Sequence, residues 1–571
     1  VISLATHLDE TASGAGWILP AHHALEAWGD IEVRSSWRAL AQPAMQPLFD
    51  TRQAEDILLA MSPEGSETGL PGDFKTFLED SWRALQPAGS GPFERWWRGV
   101  VQAGGAQPAQ AADRLSGQAI AADAAPELRE AATNYRFAAL SPSEGTQLVV
   151  SPTVQMYDGR GANRSWMQEL PDPVTRVVWN SWVEMHPDTA QELGVRTGDV
   201  VEVSSASGSV QASVYTYRGI RPDTVSIPLG QGHTAYGRYA AGRGVNALDL
   251  LAADVDERSG ALAFAGTSVE IRATGERSPL AVMQGGDTDL GREIAEIVGV
   301  AEARAAIREH HVDLSELVKE AYDSDPKSPY RWGMSVDLNA CTGCGACVTA
   351  CYAENNVPVV GETLCAQGRE MSWMQIERFY EETNDGDFQT VYQPVMCQQC
   401  GDAPCEPVCP VYAAYHTPEG LNGQIYNRCV GTRYCANNCP YKVRRFNWYT
   451  YEFPYPLNLQ LNPDVTVRET GVMEKCSFCV QRINRAKIEA KREGRLVADG
   501  EVVTACMQTC PTHAITFGNL KDPESAVSRK AKSALSYHVL DELNTRPGVT
   551  YQPKVTHAEV AAGGHGGEAG H

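Results

Sequence analysis

At 571 residues, with 48 basic and 71 acidic side chains, the chain carries a formal net charge of −23, and its pI near 5.0 argues against nucleic acid, whose phosphates select basic surfaces. The length holds at least two domains with ample core. No apolar run approaches the roughly 20 residues that span a bilayer, so membrane association must come through other subunits. An acidic field suits docking of basic redox partners, or serves solubility alone. The chain opens at Val1 without methionine, in mid-pattern. A longer gene product is therefore expected, and no signal peptide stands in the sequence as given.

Taken in chain order, residues 1–146 contain the phrase Trp17-Ile-Leu-Pro-Ala-His-His-Ala-Leu-Glu-Ala-Trp-Gly-Asp30 and no cysteine. From about Gln147 to Thr274 come short strand patterns separated by turn signals. At their heart is Gly194-Val-Arg-Thr-Gly-Asp-Val-Val-Glu-Val203, with Ser207-Gly208 as a hairpin turn and Ile227-Pro-Leu-Gly-Gln-Gly-His233 after it. Turn signals at such regular spacing predict a small β-barrel. Asp287 to Asp325 reads as a connecting helix, with Ile294, Ile297 and Val298 at helical intervals and Val300-Ala-Glu-Ala-Arg-Ala-Ala-Ile307 following.

Fifteen of the sixteen cysteines then fall in four groups. These are Cys341, Cys344, Cys347 and Cys351; Cys397, Cys400, Cys405 and Cys409; Cys429, Cys435 and Cys439; and Cys476, Cys479, Cys506 and Cys510. The first reads C-x2-C-x2-C-x3-C, the spacing that holds a cubane cluster in bacterial ferredoxins, where the fourth cysteine serves a different cluster. Thr342, Gly343, Gly345 and Ala346 are small enough to let three thiolates converge. Disulfides need no such spacing and would strain tight Cys-x-x-Cys pairs. Zinc takes two pairs, usually mixed with histidine, and does not explain a run of four followed by more. No Cys-x-x-Cys precedes a histidine, so covalent c-type haem is absent from this chain. Cys365 lies outside every group and reads as a buried small hydrophobe.

If each group gives most of its thiolates to one cluster and its last to a partner, the groups exchange in pairs. The outer pair gives Cys341, Cys344 and Cys347 with Cys510, and Cys476, Cys479 and Cys506 with Cys351. The inner pair gives Cys397, Cys400 and Cys405 with Cys439, and Cys429 and Cys435 with Cys409. The last set has three thiolates, because Thr432 stands three residues after Cys429, where a cysteine is expected. A neutral hydroxyl does not replace a thiolate, so a [3Fe–4S] cluster is expected there, the alternative being a cubane whose fourth iron binds water. Prolines follow at Cys409-Pro410, Cys439-Pro440 and Cys510-Pro511 and turn the chain where each loop closes. Short helices and hairpins are expected between the groups, with strands at Trp373-Met-Gln-Ile-Glu-Arg-Phe-Tyr380 and Gly423-Gln-Ile-Tyr-Asn427.

The stretch from about Arg331 to Leu520 resembles the four-cluster ferredoxin subunit of the molybdopterin oxidoreductase superfamily. The matching phrases are Val336-Asp-Leu-Asn-Ala-Cys-Thr-Gly-Cys-Gly-Ala-Cys347, Cys351-Tyr-Ala-Glu-Asn-Asn-Val-Pro358, Glu474-Lys-Cys-Ser-Phe-Cys479 and Cys510-Pro-Thr-His-Ala-Ile515. That resemblance implies the same ligand exchange, with Thr432 as a departure from most relatives. The Trp17 phrase resembles the late part of a molybdopterin oxidoreductase catalytic domain, and the barrel resembles the one that closes over the pterin dinucleotide. The fusion, together with Thr432, resembles the large iron–sulfur subunit of bacterial alternative complex III.

What the resemblance implies is an α+β chain in five parts. Residues 1–146 are a remnant of a molybdopterin oxidoreductase-like α/β domain and 147–280 a molybdopterin-dinucleotide-binding-like β-barrel. Residues 281–330 are a helical linker, 331–530 the four-cluster ferredoxin-like domain and 531–571 an extension with a disordered end. Its function would be electron transfer from quinol through one [3Fe–4S] and three [4Fe–4S] clusters towards haem subunits and a soluble acceptor. It implies no catalytic residue, no molybdopterin and no haem in this chain. Partners would be an integral-membrane quinol-binding subunit, c-type cytochrome subunits and other subunits of the complex, with the chain peripheral on the periplasmic face. The alternative is a fused catalytic and electron-transfer subunit of a molybdopterin oxidoreductase, such as a polysulfide reductase-like enzyme.

Several other residues have two readings. Lys442, Arg444 and Arg445 approach a membrane surface or quinone subunit, or form a solvated basic patch. Trp448, Tyr449 and Tyr451 line a docking face or pack beneath the cysteine loops. His416 serves a proton role or is a satisfied surface histidine. The tail from Ala561 to His571 reads as disordered, and His557, His565 and His571 are too sparse for a metal site.

Overall fold

A computed structural model describes residues 1–34, 37–61, 70–107, 145–253, 255, 260–292, 294–309, 328–382 and 388–557. The chain divides into two compact units. One comprises Val1–Gly145 with Gly232–Gly242, the other Thr146–Gln231 with everything from Arg243 onward.

In the first unit, strands Gly29–Arg34, Trp37–Ala41 and Gly105–Ala106 form an antiparallel sheet. Helices Phe74–Arg83 and Phe93–Ala103 cover it. Asp73 caps the first by accepting from the Thr76 amide at 2.9 Å. Leu78 and Trp82 lie one turn apart on one face, and Phe93, Trp97 and Val100 share one face of the second helix; all five are buried with Leu40.

The second unit begins with a closed six-stranded barrel. Its strands are β1 (Thr146–Pro152), β2 (Trp182–Met185), β3 (Asp199–Ser204), β4 (Ser209–Thr216), β5 (Thr224–Leu229) and β6 (Ala265–Arg277). Around the barrel the order is β5-β1-β6-β3-β4-β2, closing on β5. The β3–β4 hairpin turns at Ser207 and Gly208, where the Ser205 hydroxyl accepts from both amides. Closure leaves no edge strand, and Leu148, Val150, Val183, Met185, Val201, Val203, Val214, Val225 and Ile227 fill the interior.

Beyond the barrel, strand β7 (Ile297–Gly299) runs parallel to Lys554–Thr556. Among the described residues, the helix expected over Asp287 to Asp325 is Val300–Glu309. Ile297 and Val298 are strand residues, because β-branched side chains pair well on a neighbouring strand and tertiary pairing outweighs the weak helical periodicity. Residues 310–327 and the expected disordered tail, including His565 and His571, lie outside the described residues.

Strand β8 (Trp332–Asp337) sits between Ile515–Asn519, antiparallel, and Val549–Gln552, parallel. Hairpin β9 (Met374–Glu382) and β10 (Phe388–Met396) packs beside it, where strand was expected from Trp373. The phrase at Gly423 gives a short strand, Asn422–Gln424, followed by a turn of 3₁₀ helix at Tyr426–Arg428. One apolar core joins Trp332, Met334, Val336, Trp373, Ile376, Phe478, Ile483, Phe517 and Tyr551. The cysteine loops hang from this core.

Candidate metal centres

The structure gathers the cysteines into four sites. Site A is the loop Cys341–Cys347 with Cys510. Gly343 and Gly345 both have positive φ, +72° and +76°, which L side chains rarely adopt. A Cβ at Gly343 would lie 2.6 Å from the Tyr392 ring, and one at Gly345 would lie 2.7 Å from Leu170 Cδ1. Helix Ala346–Glu354 starts directly from this loop and buries Cys347 and Cys351 one turn apart. Burial, then the neighbouring Cys344 and Cys510, pushes the Cys341 thiol up to about 11. Burial likewise pushes Cys347 far up, aided by Cys506, Cys341, Cys344 and Cys510.

Site B is a cavity of about 330 Å³ bordered by Cys351, Cys476, Cys479 and Cys506, together with Met334, Met374, Met396 and Phe478. Its sulfurs receive donors: Asn355 Nδ2 at 3.5 Å from Cys351 Sγ, and the Phe478 amide at 3.4 Å from Cys476 Sγ. The Thr504 hydroxyl lies 3.2 Å from Cys506 Sγ. Asn355 is itself braced: its carbonyl accepts from Arg468 Nη1 at 2.8 Å, and Arg468 forms a fully buried 2.7 Å ion pair with Glu474.

Site C is a cavity of about 300 Å³ ringed by Cys397, Cys400, Cys405 and Cys439, with Tyr441, Val443, Asn422 and Arg444. All four cysteines are buried. Arg444 Nη1 donates to Cys405 Sγ at 3.4 Å.

Site D, about 280 Å³, is bordered by Cys409, Cys429 and Cys435, with Thr432, Arg433, Gln424 and Met473 among the other rim residues. Thr432 is exposed. The Ala413 amide donates to Cys409 Sγ at 3.1 Å and the Met473 amide to Cys429 Sγ at 3.4 Å. Burial pushes Cys409 up, but amides of Ala414, Val411 and Ala413 outweigh it and hold this thiol below its ordinary value. Cys510 behaves alike: burial raises it, while the Thr512 hydroxyl and the Ala514 amide bring it below.

The sites form a row. Cys506 of site B acts on Cys347 of site A. Cys397 of site C acts on Cys476 of site B, and Arg444 reaches Cys405 in site C and Cys435 in site D. Buried thiols packed this closely raise one another and, left alone, remain neutral. Iron supplies the positive charge that such a donor set calls for, so the residues present fit thiolate-held iron–sulfur clusters. All sixteen cysteines are free. Cys365, 3 % exposed, borders none of the three cavities of sites B, C and D.

Three features were not legible as functional residues. Arg444 is buried and Arg445 pairs with Glu370 at 2.6 Å, so of the expected basic patch Lys442 alone is exposed. A sequence shows charge but not burial. Lys475, 2 % exposed, donates to the Cys476 carbonyl at 2.9 Å and acts on Cys405; its place between two cysteine sites was hidden in the Glu-Lys-Cys phrase. Glu169, also 2 % exposed, accepts from Tyr352 OH at 3.2 Å, Trp179 Nε1 at 3.2 Å, and the amides of Val360 at 2.9 Å and Gly361 at 2.8 Å. No local pattern marks that long-range anchor. His416 is half-buried and pairs with Glu406 at 2.5 Å. Trp448 packs edge-to-face against Phe446 and lies under Arg369 and Arg433, while Tyr449 is exposed.

Comparison with known proteins gives three matching family models: a Molydopterin dinucleotide binding domain over residues 158–268, and two 4Fe-4S dicluster domains over 340–413 and 388–454. The menaquinone reductase iron–sulfur cluster-binding subunit of Nitratidesulfovibrio vulgaris is 42 % identical over 231 residues, 39 % of this chain and 88 % of that one. The Hdr-like menaquinol oxidoreductase iron–sulfur subunit 1 of Archaeoglobus fulgidus is 34 % identical, over 39 % of this chain and 82 % of its own. A polysulfide reductase polypeptide of Wolinella succinogenes is 30 % identical, over 38 % and 91 %. Among solved structures, acetylene hydratase from Pelobacter acetylenicus aligns with 47 % of this chain and 39 % of its own at 14 % identity and a TM-score of 0.30, too loose to support an argument.

Proposed function

The chain belongs to the family of iron–sulfur cluster-binding subunits of oxidoreductases, joined here to a molybdopterin-dinucleotide-binding-type barrel, and on that premise we propose that it is the electron-relay subunit of a membrane quinol-oxidising complex of the alternative complex III type. The observation that carries this reading is the row of four cysteine sites, the last of which is bordered by Thr432 beside three cysteines. In this reading Cys341, Cys344, Cys347 and Cys510 hold one [4Fe–4S] cluster, and Cys476, Cys479, Cys506 and Cys351 a second. Cys397, Cys400, Cys405 and Cys439 hold the third, and Cys429, Cys435 and Cys409 hold a [3Fe–4S] cluster. When bound, such clusters accept and release single electrons.

The remaining work is the chain's own. Its thiolates fix the spacing of the centres, and Met334, Met374, Met396 and Phe478 keep water from site B. Amide, hydroxyl and guanidinium donors to sulfur tune each centre. Partners in this reading are an integral-membrane quinol-binding subunit and c-type cytochrome subunits, with the chain peripheral on the periplasmic face. No helix among the described residues is long and apolar enough to cross a membrane, which suits anchoring through partners.

The match of residues 158–268 to a Molydopterin dinucleotide binding domain favours a second reading, a working molybdopterin oxidoreductase. Iron and molybdenum or tungsten content of the intact native complex decides between them. About fifteen cluster irons per chain, after subtraction of partner haem, and neither heavier metal is the expected result. One molybdenum or tungsten per chain would replace the electron-relay reading with the enzyme. An iron content near zero would sink both.

A further inference from the structure

Arg444 is 5 % exposed. Its guanidinium is tied to the linings of two cysteine sites at once. On one side Nη1 donates to Cys405 Sγ at 3.4 Å and to Asn422 Oδ1 at 3.2 Å, and both residues border site C. On the other, Nη2 donates to Gln424 Oε1, which borders site D, and the positive charge acts on Cys435. Nε is buried with no hydrogen-bond partner. Among the described residues Arg444 forms no ion pair with a carboxylate. A buried guanidinium without a carboxylate is costly unless another negative group compensates it. The negative groups placed to do so here are the thiolates of the two sites.

We propose that Arg444 is a shared cationic bridge that sets the reduction potentials of sites C and D together. The proposal rests on the cluster assignment above. Adding an electron to a cluster makes it more negative, so a fixed positive charge in contact with its ligand sulfur favours the reduced form. Because one guanidinium touches a ligand of site C and a residue bordering site D, it raises both potentials. A merely structural arginine would hold the two loops in place without moving either potential. Arg444 is thus a positioning residue in the electrostatic sense, acting through Cys405 and Cys435.

The test is an EPR-monitored redox titration of the cluster-loaded full chain in its complex. The three-iron centre is paramagnetic when oxidised and the cubanes when reduced, so the waves separate. In Arg444→Gln the three-iron wave and one of three cubane waves should move to lower potential. Each reduction equilibrium should change about tenfold, near 59 mV for one electron, with the other two cubane waves in place. Arg444→Lys, which keeps the charge, should restore most of the shift. Should Arg444→Gln not assemble, Gln424→Glu sets a carboxylate against Nη2 with the guanidinium retained, and the same paired downward shift is expected. Unmoved waves in an assembled variant, or a shift at one site alone, would overturn the bridge. So would loss of both centres in Gln424→Glu, which would make Arg444 a fold-holding residue. Absence of the three-iron wave from the wild-type chain overturns the cluster assignment at site D and the bridge with it.

Discussion

At the scale of single residues, Thr432 is the most informative position in the chain. Its side chain stands on the rim of site D beside Cys409, Cys429 and Cys435. In the proposed assignment, replacing it with cysteine supplies the fourth thiolate. The expected outcome is a gain of about one iron per chain and conversion of the oxidised-state three-iron EPR signal into a reduced-state cubane signal. An unchanged spectrum in a correctly folded Thr432→Cys variant would show that site D is not limited by this corner. Glu184 offers a different measurement. Burial pushes this carboxyl up to about 7, with Asp172 adding to the rise and the Trp182 indole, 2.9 Å away, opposing it. A raised carboxyl contributes stability that is fully present below its unfolded value and is lost as pH rises through the folded one. Between about pH 4.5 and pH 7 the chain should therefore lose on the order of 3 kcal/mol from this group. Glu184→Gln should flatten the stability curve across that window; a slope equal to wild type would show that Glu184 is not the source.

At the scale of elements, what could be read from the sequence was what covalent spacing specifies. The cysteine loops, the turns at Ser207 and Gly208, and the strand from Met374 need only neighbours along the chain. Ile297–Gly299 was misread because its partner, Lys554–Thr556, is some 250 residues away and periodicity in so short a run is ambiguous. The two loop glycines of site A can be tested directly. Gly345→Ala would place a methyl 2.7 Å from Leu170 at a φ of +76°, costing about 1–3 kcal/mol from strain and overpacking. A lower urea midpoint, with rescue by Leu170→Ala in the double variant, is expected. If Leu170→Ala gave no rescue, the packing of Leu170 on the loop would not be the cause. The buried Arg468–Glu474 pair is expected to be costlier to break. Arg468→Met leaves Glu474 buried without its cation and should lower stability by about 3–5 kcal/mol, read by chemical denaturation. A loss below about 1 kcal/mol would mean that water replaces the guanidinium.

At the scale of the whole molecule, the α+β character and the barrel were legible, whereas the way the barrel segment grips the ferredoxin-like part was not. Part of that grip is Glu169, whose four donors come from both sides of the second unit. Glu169→Ala strands the amides of Val360 and Gly361 and should cost about 3 kcal/mol, with faster amide exchange at those two positions. Wild-type exchange there would mean that the amides find other partners. Sites A, B and D each include part-exposed cysteines, while the four cysteines of site C are all buried. In electrical terms the conductor is sheathed at site C and barer elsewhere along its length. A small diffusible oxidant such as dioxygen is therefore kept from sulfur best at site C, and stray one-electron leakage should be least there.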